Sequence, residues 1–380
     1  MILDRDDGER VRMQSRNLGE AGAKMLRVVA IGGGTGLSTL LRGFKRYVAA
    51  PDRRHGLRGG RRAEDLLVLP ECQDLPCMIR DLSAVVTVTD DGGSSGRLRE
   101  DFKMLPPGDV RNCMVALSED EHLLSKLFQF RFDQGELEGH SFGNLFVAAL
   151  SHITGDFAQA VQMSSQILAT RGRIFPATNT NVGLAARMDD GSVVEGETNI
   201  TASQQRIVEL MLRPATADPL PETLEAIAQA DLITLGPGSL YTSLITNLLV
   251  RGIPEAIAES NATRVYVCNL MTQANESLGL TASQHIEKIF EHAGPTREPL
   301  FNYALINTGP IAAERLEQYA REGQSPIAAD LERVRALGVE PIVGNFVHEG
   351  DVLRHDYDRV AETVLALAVA KLAPVLAGQG

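Results

Sequence analysis

The sequence lacks any apolar stretch of the roughly 20 residues that a membrane-spanning helix requires. Residues 1–24 are polar and charged, so we do not expect a secretory signal peptide there. Only four cysteines occur among 380 residues, and none has the CxxC spacing of a zinc site. These absences argue against a membrane span, a disulfide framework and a zinc knuckle, and they suit the reducing cytoplasm.

Basic residues are in the minority. The chain carries 37 Lys and Arg against 49 Asp and Glu, which gives a net charge of −12 at pH 7. Nucleic acids and membrane surfaces are anionic, so this balance argues against general binding to either. Any phosphate site must therefore be local. The composition is otherwise ordinary for a globular protein, at 44% hydrophobic and 23% charged.

The stretch 26–38, LRVVAIGGGTGLS, combines an apolar run, a glycine turn and a helical pattern. The apolar run is rich in β-branched residues and ends at three glycines, and the helical pattern starts after Thr35. Glycine tolerates positive φ and lets a ligand approach the backbone closely. The first N–H groups of a helix have no partner within it and attract an anion. The stretch therefore predicts a strand, an anion-binding turn and a helix.

This turn fits neither of two familiar phosphate loops. Counted from Gly32, the third glycine of a GxGxxG fingerprint would fall on Leu37. A P-loop requires a lysine after its last glycine, and none follows Gly36. A nicotinamide cofactor and ATP hydrolysis are both disfavoured, and a purely structural turn is the alternative to an anion site. The predicted phosphate contacts are Gly33, Gly34, Thr35 and Gly36.

The second predicted strand, 83–89 (SAVVTVT), runs into two carboxylates followed by glycines and serines. The carboxyl ends of parallel strands meet at one edge of a sheet, so this loop is expected beside the first. Asp90 or Asp91 could hydrogen-bond a ribose hydroxyl or hold Mg²⁺ against a diphosphate. The alternative is a simple Asx turn. Further along, Asp109 is well placed to cap a helix.

Polar residues also follow the later predicted strands and begin several helices. Strand LITL runs into a second glycine turn, after which Ser239 is the expected helix N-cap. Strand RVYVCN ends at Asn269, and strand YALIN ends at Asn307. Several such ends along one edge favour a binding crevice over a series of ordinary caps. The further candidates are Asn112, Asn144, Gly236, Gly238, Ser239 and Asn269; an exposed first helical turn is the alternative for Asn112 and its neighbour Arg111.

Two segments interrupt the α/β alternation. Residues 49–82 include an arginine-rich run. It is either an arm that binds nucleic acid or a surface insertion, and the net negative charge of the whole chain favours the insertion. Residues 174–212 contain strands on either side of DDGS, which predicts an antiparallel hairpin insert. We therefore predict a disordered tail over 1–24 and a single α/β domain over 25–375. Its sheet is mostly parallel, with flanking helices.

Seven segments occur in a consistent order between residues 27 and 372. They are VVAIGGGTGLSTLLRG, AVVTVTDDGGSSGRLR, LPPGDVRNCMVALS, GHSFGNL, LITLGPGSLYTSL, VCNLMTQANE and LRHD. Together they resemble the gluconeogenesis factor family, relatives of the 2-phospho-L-lactate transferases. The tail and the arginine-rich segment depart from that pattern. The resemblance implies a Rossmann-like core, a cytoplasmic location and a nucleotide-sugar ligand of the UDP-N-acetylglucosamine type.

The resemblance implies a regulatory, non-catalytic role without a cofactor. The family supports carbon metabolism and cell-wall morphogenesis during growth on gluconeogenic carbon sources. The alternative is a transferase that moves a phospholactyl group from a guanosine diphosphate adduct to a deazaflavin precursor, with Mg²⁺ on Asp90 or Asp91. No Ser/His/Asp or Cys/His constellation can be assembled, so no catalytic residue is assigned. The oligomeric state, with a homo-oligomer among the alternatives, and a regulatory protein partner stay open.

Two distant residues complete the predicted nucleotide-sugar site. Tyr319 closes the helical segment ERLEQY, and Arg354 lies in LRHD before the last helix, so both can reach the carboxyl edge of the sheet. Tyrosine offers a flat face for a base or sugar, and a guanidinium can bind a diphosphate with two hydrogen bonds. The alternative is half-buried packing for Tyr319 and a surface ion pair for Arg354. The resemblance to nucleotide-sugar binders favours the ligand site.

Overall fold

A computed structural model describes residues 25–49, 77–119, 123–296, 298–350 and 352–377. The predicted N-terminal tail and residues 50–76 of the predicted arginine-rich insertion lie outside the described residues. The strands are β1 (Leu26–Gly32), β2 (Ile79–Val86), β3 (Arg173–Pro176), β4 (Gly183–Met188), β5 (Val193–Glu195), β6 (Ile207–Arg213), β7 (Leu232–Leu235), β8 (Thr263–Val267), β9 (Tyr303–Asn307), β10 (Glu340–Gly344), β11 (Val347–Glu349) and β12 (Leu353–His355).

Helices connect most of the strands. They are α1 (Gly34–Lys45), α2 (Gly93–Phe102), α3 (Gly108–Leu117), α4 (Leu123–Gln129), α5 (Phe142–Thr154), α6 (Phe157–Ile167), α7 (Glu197–Ala202), α8 (Pro221–Gln229), α9 (Thr246–Leu248), α10 (Ile253–Glu259), α11 (Ala282–Ala293), α12 (Ala313–Ala320), α13 (Leu331–Ala336) and α14 (Tyr357–Ala377). A π-helix over Leu240–Ile245 leads into α9.

The main sheet has seven strands in the order β10-β9-β8-β7-β1-β2-β3, and every neighbouring pair is parallel. The central strand β1 is apolar on both faces, because successive side chains point to opposite sides of the sheet. Val28 and Ala30 join the core on one face, and Val29 and Ile31 join the core on the other. Helices cover both faces, so the predicted α/β, Rossmann-like fold is confirmed.

The strand order reverses next to β1. The chain first builds outward from β1 to β2 and β3, and after the antiparallel insert it returns to place β7 on the other side of β1. At such a reversal the connections after two adjacent strands leave toward opposite faces, which opens a crevice at their carboxyl ends. The two glycine turns follow β1 and β7. The topology thus places both turns at this crevice.

Strand boundaries agree with the sequence prediction at β7 and β9 but not at β2 or β8, since β8 ends at Val267 and the predicted strand ended at Asn269. The structure has β7 and β9 where LITL and YALIN predicted them, but β2 spans Ile79–Val86 instead of 83–89. The neighbouring strand β1 ends opposite Val86. Of residues 87–89, only Thr87 donates a backbone hydrogen bond to β1, from its amide to the Gly32 carbonyl at 3.0 Å. Residues 87–89 therefore lack the ladder that would make them a strand.

A three-stranded antiparallel sheet, in the order β5-β4-β6, adjoins the main sheet. Its β4–β5 hairpin turns at Asp189–Ser192, so the predicted hairpin is confirmed. The predicted insert began at Ile174, but that residue belongs to β3 and pairs in parallel with β2. The apolar run around Ile174 is compatible with a parallel or an antiparallel strand, and only the strand pairing in the fold distinguishes the two.

Within the described residues, no helix is long and apolar enough to cross a membrane. Cys113 and Cys268 are buried free thiols. Cys77 is disulfide-bonded, which the cysteine spacing did not predict.

Candidate functional site

A cleft of about 560 Å³ opens at the carboxyl edge of the main sheet, at the reversal beside β1. The two glycine turns form its floor, the Asp90 loop and the start of α7 form one wall, and segments after β8 and around β12 form the other. Its walls are lined by Gly33, Gly34, Thr35, Gly36, Thr39, Asp90, Asp109, Glu197, Pro237, Gly238, Ser239, Thr242, Ser243, Asn269, Leu270, Met271, Thr272, Gln273, Tyr319, Gln324, Val352, Leu353, Arg354 and His355.

The first glycine turn is shaped by close contacts that a side chain would disrupt. A Cβ at Gly33 would lie 2.4 Å from Thr87 Cγ2 and 2.8 Å from Asp109 Oδ2. Gly34 has φ +60°, a left-handed conformation that favours glycine. A Cβ at Gly36 would lie 2.2 Å from the Pro237 carbonyl oxygen, because the two glycine turns touch there. The glycines are thus needed to bring the two turns together.

Helix α1 presents two free amides to the cleft. The N–H of Gly34 donates to the Asp109 carboxylate. Neither the N–H of Thr35 nor that of Gly36 has an acceptor among the described residues. Both residues line the cleft at the positive end of a twelve-residue helix. This is the arrangement that binds a phosphate or another anion.

The second glycine turn differs from the first. Gly236 has φ +87°, and a Cβ there would lie 2.9 Å from the Val267 carbonyl oxygen. Ser239 is the N-cap residue, as predicted, but its side chain makes no cap hydrogen bond; its Oγ instead accepts from Gln273 Nε2 at 3.0 Å. The Glu276 carboxylate caps the start of the π-helix instead: it accepts from the Tyr241 amide at 3.2 Å and from Thr242 Oγ1 at 2.9 Å. A protein carboxylate therefore already occupies these donors.

Three carboxyl groups line one wall of the cleft, and their closeness changes their ionisation. Burial, followed by the charge of Asp90, raises the pKa of Asp109 to about 7 against the Gly34 hydrogen bond. Burial, followed by the charges of Asp90 and Asp109, raises the pKa of Glu197 to about 9. At neutral pH Glu197 is therefore protonated, which lowers the repulsion that an anionic ligand meets at this wall.

The opposite wall carries Tyr319 and Arg354. The Tyr319 hydroxyl accepts from the Leu353 amide at 3.3 Å, which joins α12 to β12. Arg354 is exposed, and in the described part of the chain its guanidinium has no hydrogen-bond or ion-pair partner. Burial lowers the pKa of His355 to about 4, so its imidazole is neutral and its Nε2–H donates to the Cys268 carbonyl at 3.0 Å. Arg354 is thus the cationic group of this wall that is free to meet a ligand.

Most of the residues predicted from the sequence line this one cleft. Asp90 does so while its Oδ1 also accepts from the Gly92 amide at 2.9 Å, so the alternative Asx turn is present as well. The ten predicted residues in the cleft wall are Gly33, Gly34, Thr35, Gly36, Asp90, Gly238, Ser239, Asn269, Tyr319 and Arg354.

Four predicted residues do not line the cleft. Asp91 accepts from the amide and hydroxyl of Thr198, at 2.8 and 2.6 Å, and so holds the start of α7. Asn112 accepts from Arg111 at 2.7 Å. Asn144 is buried and donates to Ser94 Oγ at 3.1 Å. Gly236 shapes the turn behind the cleft wall.

The sequence did not identify Glu197 or Glu276 as site residues, and it did not predict that Asp109 faces the cleft. Asp109 was predicted as a cap, but Pro107 is the N-cap of α3 and Asp109 lies in the first turn, where it reaches the glycine loop. Glu276 follows VCNLMTQAN, whose polar character was a weak signal. Glu197 follows the hairpin insert, where no pattern indicates a site. Among the described residues, no group of three or more His, Cys, Asp or Glu is placed to hold a metal ion.

Comparison with known proteins adds sequence and structural relatives. Residues 28–347 match the family described as 2-phospho-L-lactate transferase CofD. The chain is 44% identical to the gluconeogenesis factor of Halalkalibacterium halodurans over 344 residues, covering 90% of this chain and 96% of that one. It is 43% identical to the gluconeogenesis factor of Bacillus subtilis over 343 residues, covering 90% and 98%. A crystal structure of a UPF0052 family member from Bacillus halodurans matches with a TM-score of 0.79 at 44% identity, covering 90% and 99%.

Proposed function

The chain belongs to the 2-phospho-L-lactate transferase CofD family, and we propose that it is a regulatory protein that binds a nucleotide sugar of the UDP-N-acetylglucosamine type. Its relatives include gluconeogenesis factors. In this proposal it acts in the cytoplasm and supports carbon metabolism and cell-wall morphogenesis during gluconeogenic growth. Occupancy of the cleft is the signal that it senses.

One observation carries the proposal: the cleft has free donors for a diphosphate on two of its sides. The amides of Thr35 and Gly36 supply two N–H groups on the floor, and Arg354 supplies a guanidinium on the wall. Backbone amides at a helix start and an arginine fork are two standard partners of phosphate oxygens. A ligand with two linked phosphates matches donors spread over the floor and the wall.

The remaining polar groups suit the base and the sugar. Tyr319 offers an aromatic face, and Asn269 and Gln273 offer amide groups to hydroxyls or to a base edge. The side chains of Asn269 and Gln273 lie 3.4 Å apart, a weak contact that a ligand can replace. A cleft of about 560 Å³ falls within the usual size of small-molecule sites.

The test is direct binding with a metal-free arm. Purified protein is titrated calorimetrically with UDP-N-acetylglucosamine in EDTA, and product formation is followed separately with and without Mg²⁺. We expect saturable binding in EDTA and no turnover. Absence of binding to UDP-N-acetylglucosamine and to related nucleotide sugars would overturn the proposal.

The family match and the acidic wall favour a second candidate, a phospholactyl transferase acting on a guanosine diphosphate adduct. A Cβ at Gly33 would lie 2.8 Å from Asp109 Oδ2, so the Asp109 carboxylate borders the phosphate loop, and Asp90 lines the same cleft. Mg²⁺ commonly binds through one or two carboxylates together with substrate phosphates, and Asp90 and Asp109 fit that role. The ion would neutralise charge on the diphosphate. Mg²⁺-dependent turnover in the same assay would favour this candidate.

A further inference from the structure

Two arginines, Arg97 and Arg111, contact the loop between α4 and α5, and a third, Arg131, lies in that loop. Arg97 Nη2 donates to the Glu138 carbonyl at 2.7 Å, and Arg131 donates to the adjacent carbonyl, that of Gly139. The arginine nearest the cleft is Arg111, whose two terminal nitrogens donate to Ser141 Oγ at 2.6 Å and to Asn112 Oδ1 at 2.7 Å. We call Arg97, Arg111 and Arg131 the arginine cluster.

The described residues provide only neutral acceptors to the arginine cluster. None of its guanidinium groups lies within ion-pair distance of a carboxylate in that part of the chain. A guanidinium has five N–H donors. Arg97 and Arg131 are exposed and use one donor each, and Arg111 uses two and is half-buried. Donors therefore remain available at all three side chains.

Arg131 is close enough to affect Arg111, and both Arg97 and Arg131 affect His140. Burial, followed by the charge of Arg131, lowers the pKa of Arg111, while Asp109 and Asp90 oppose that change. Burial, followed by the charge of Arg97, also lowers the pKa of the adjacent His140, with Asp101 opposing. A chain of net charge −12 thus gathers like positive charges here without direct ion pairs. A bound anion would lower the repulsion among these positive charges.

A buried polar network behind the arginine cluster is also incomplete. Ser94 Oγ contacts His140 Nδ1 at 3.1 Å and accepts from Asn144 Nδ2 at 3.1 Å. Asn144 is only 2% exposed, yet its Oδ1 has no partner, and the buried Nε of Arg111 has none either. Buried polar atoms without partners are rare in native proteins. An anion can accept from Arg111 Nε, whereas Asn144 Oδ1 is itself an acceptor and needs a donor such as water.

We propose that the arginine cluster is a second anion site, which binds the phosphate group of a small ligand other than the nucleotide sugar. Phosphate is favoured over a carboxylate because its three terminal oxygens accept from several guanidinium donors at once, and Arg97 and Arg131 already hold adjacent carbonyls. The site adjoins the cleft, since Asp90 borders both the cleft and Gly108, the first residue of the helix that carries Arg111. A phosphorylated second ligand bound there would lie beside the first.

The first test maps arginine reactivity in the unmodified protein. The protein is treated with phenylglyoxal in phosphate, acetate or chloride of equal ionic strength, and modified peptides are quantified by mass spectrometry. Arg42 and Arg80, exposed on α1 and β2 with no described partner, are internal controls. We expect phosphate to slow modification of Arg97 and Arg131 by about tenfold, as for a charged hydrogen-bonded pair. Equal rates in phosphate and chloride, or equal protection by acetate, would overturn the proposal.

The second test uses matched double variants. Arg97→Gln/Arg131→Gln removes two positive charges from the cluster, and Arg42→Gln/Arg80→Gln removes two elsewhere. In a phosphate titration we expect the first pair alone to lose the phosphate bound at the arginine cluster, whereas Arg354→Gln, which removes a proposed phosphate donor from the cleft, weakens only phosphate binding in the cleft. The same loss in both pairs would show a general charge effect and overturn the proposal. Because cluster and cleft variants are titrated separately, loss of the cluster phosphate is judged independently of whether the cleft binds a nucleotide sugar.

Discussion

Arg354 offers the sharpest test of the nucleotide-sugar cleft, because its side chain makes no hydrogen bond or ion pair in the described part of the chain. Arg354→Ala removes an exposed guanidinium without breaking a hydrogen bond or ion pair there. We therefore expect the free energy of unfolding to change by less than about 0.5 kcal/mol. A hydrogen bond to a charged group contributes roughly 1.5–3 kcal/mol, so the affinity for UDP-N-acetylglucosamine should fall by about 10- to 150-fold.

The assay is calorimetric titration of wild type, Arg354→Ala and Arg354→Lys, with urea unfolding of each in the absence of ligand. The lysine variant keeps the charge but loses the two-pronged donor, so its affinity should lie between the other two. Arg80→Ala is the matched control, since Arg80 is an exposed arginine at the amino end of β2, away from the cleft. Wild-type affinity in Arg354→Ala, or equal weakening in Arg80→Ala, would refute the reasoning.

Three further predictions follow from contacts around the cleft. Gly36→Ala should lower the free energy of unfolding by about 1–3 kcal/mol in urea, because its Cβ would meet the Pro237 backbone oxygen, which cannot rotate away. Stability should fall as pH rises from about 5 to about 9, because folding raises the pKa of Glu197 to about 9 and the unfolded state ionises first; Glu197→Gln should flatten that slope. Tyr319→Phe should weaken ligand binding less than Tyr319→Ala, since phenylalanine keeps the ring; equal losses would contradict the role of the aromatic face.

Much of the candidate site was predictable because short segments carry its chemistry. The glycine turns and Asp90 follow apolar strands, and parallel strands bring their carboxyl ends to one edge whatever the details of packing. The positions and chemistry of Tyr319 and Arg354 left a ligand site and ordinary packing both open, and the family resemblance decided for the ligand site. Helix capping was less predictable. Ser239 suggested a side-chain cap, but the first donors of that helix bond to Glu276, which lies 37 positions after Ser239 in the chain.

The sequence by itself determined the alternation of strands and helices, the glycine turns and the acidic balance, because each depends on neighbouring residues or on composition. Only the tertiary structure decided which side chains meet. Asp109 reaches Gly34, Glu197 joins Asp90 at the cleft wall, and three arginines separated by up to 34 positions gather around one loop. Their ionisation and their free donors arise from burial and through-space charge, which depend on distances in the fold and not on spacing along the chain.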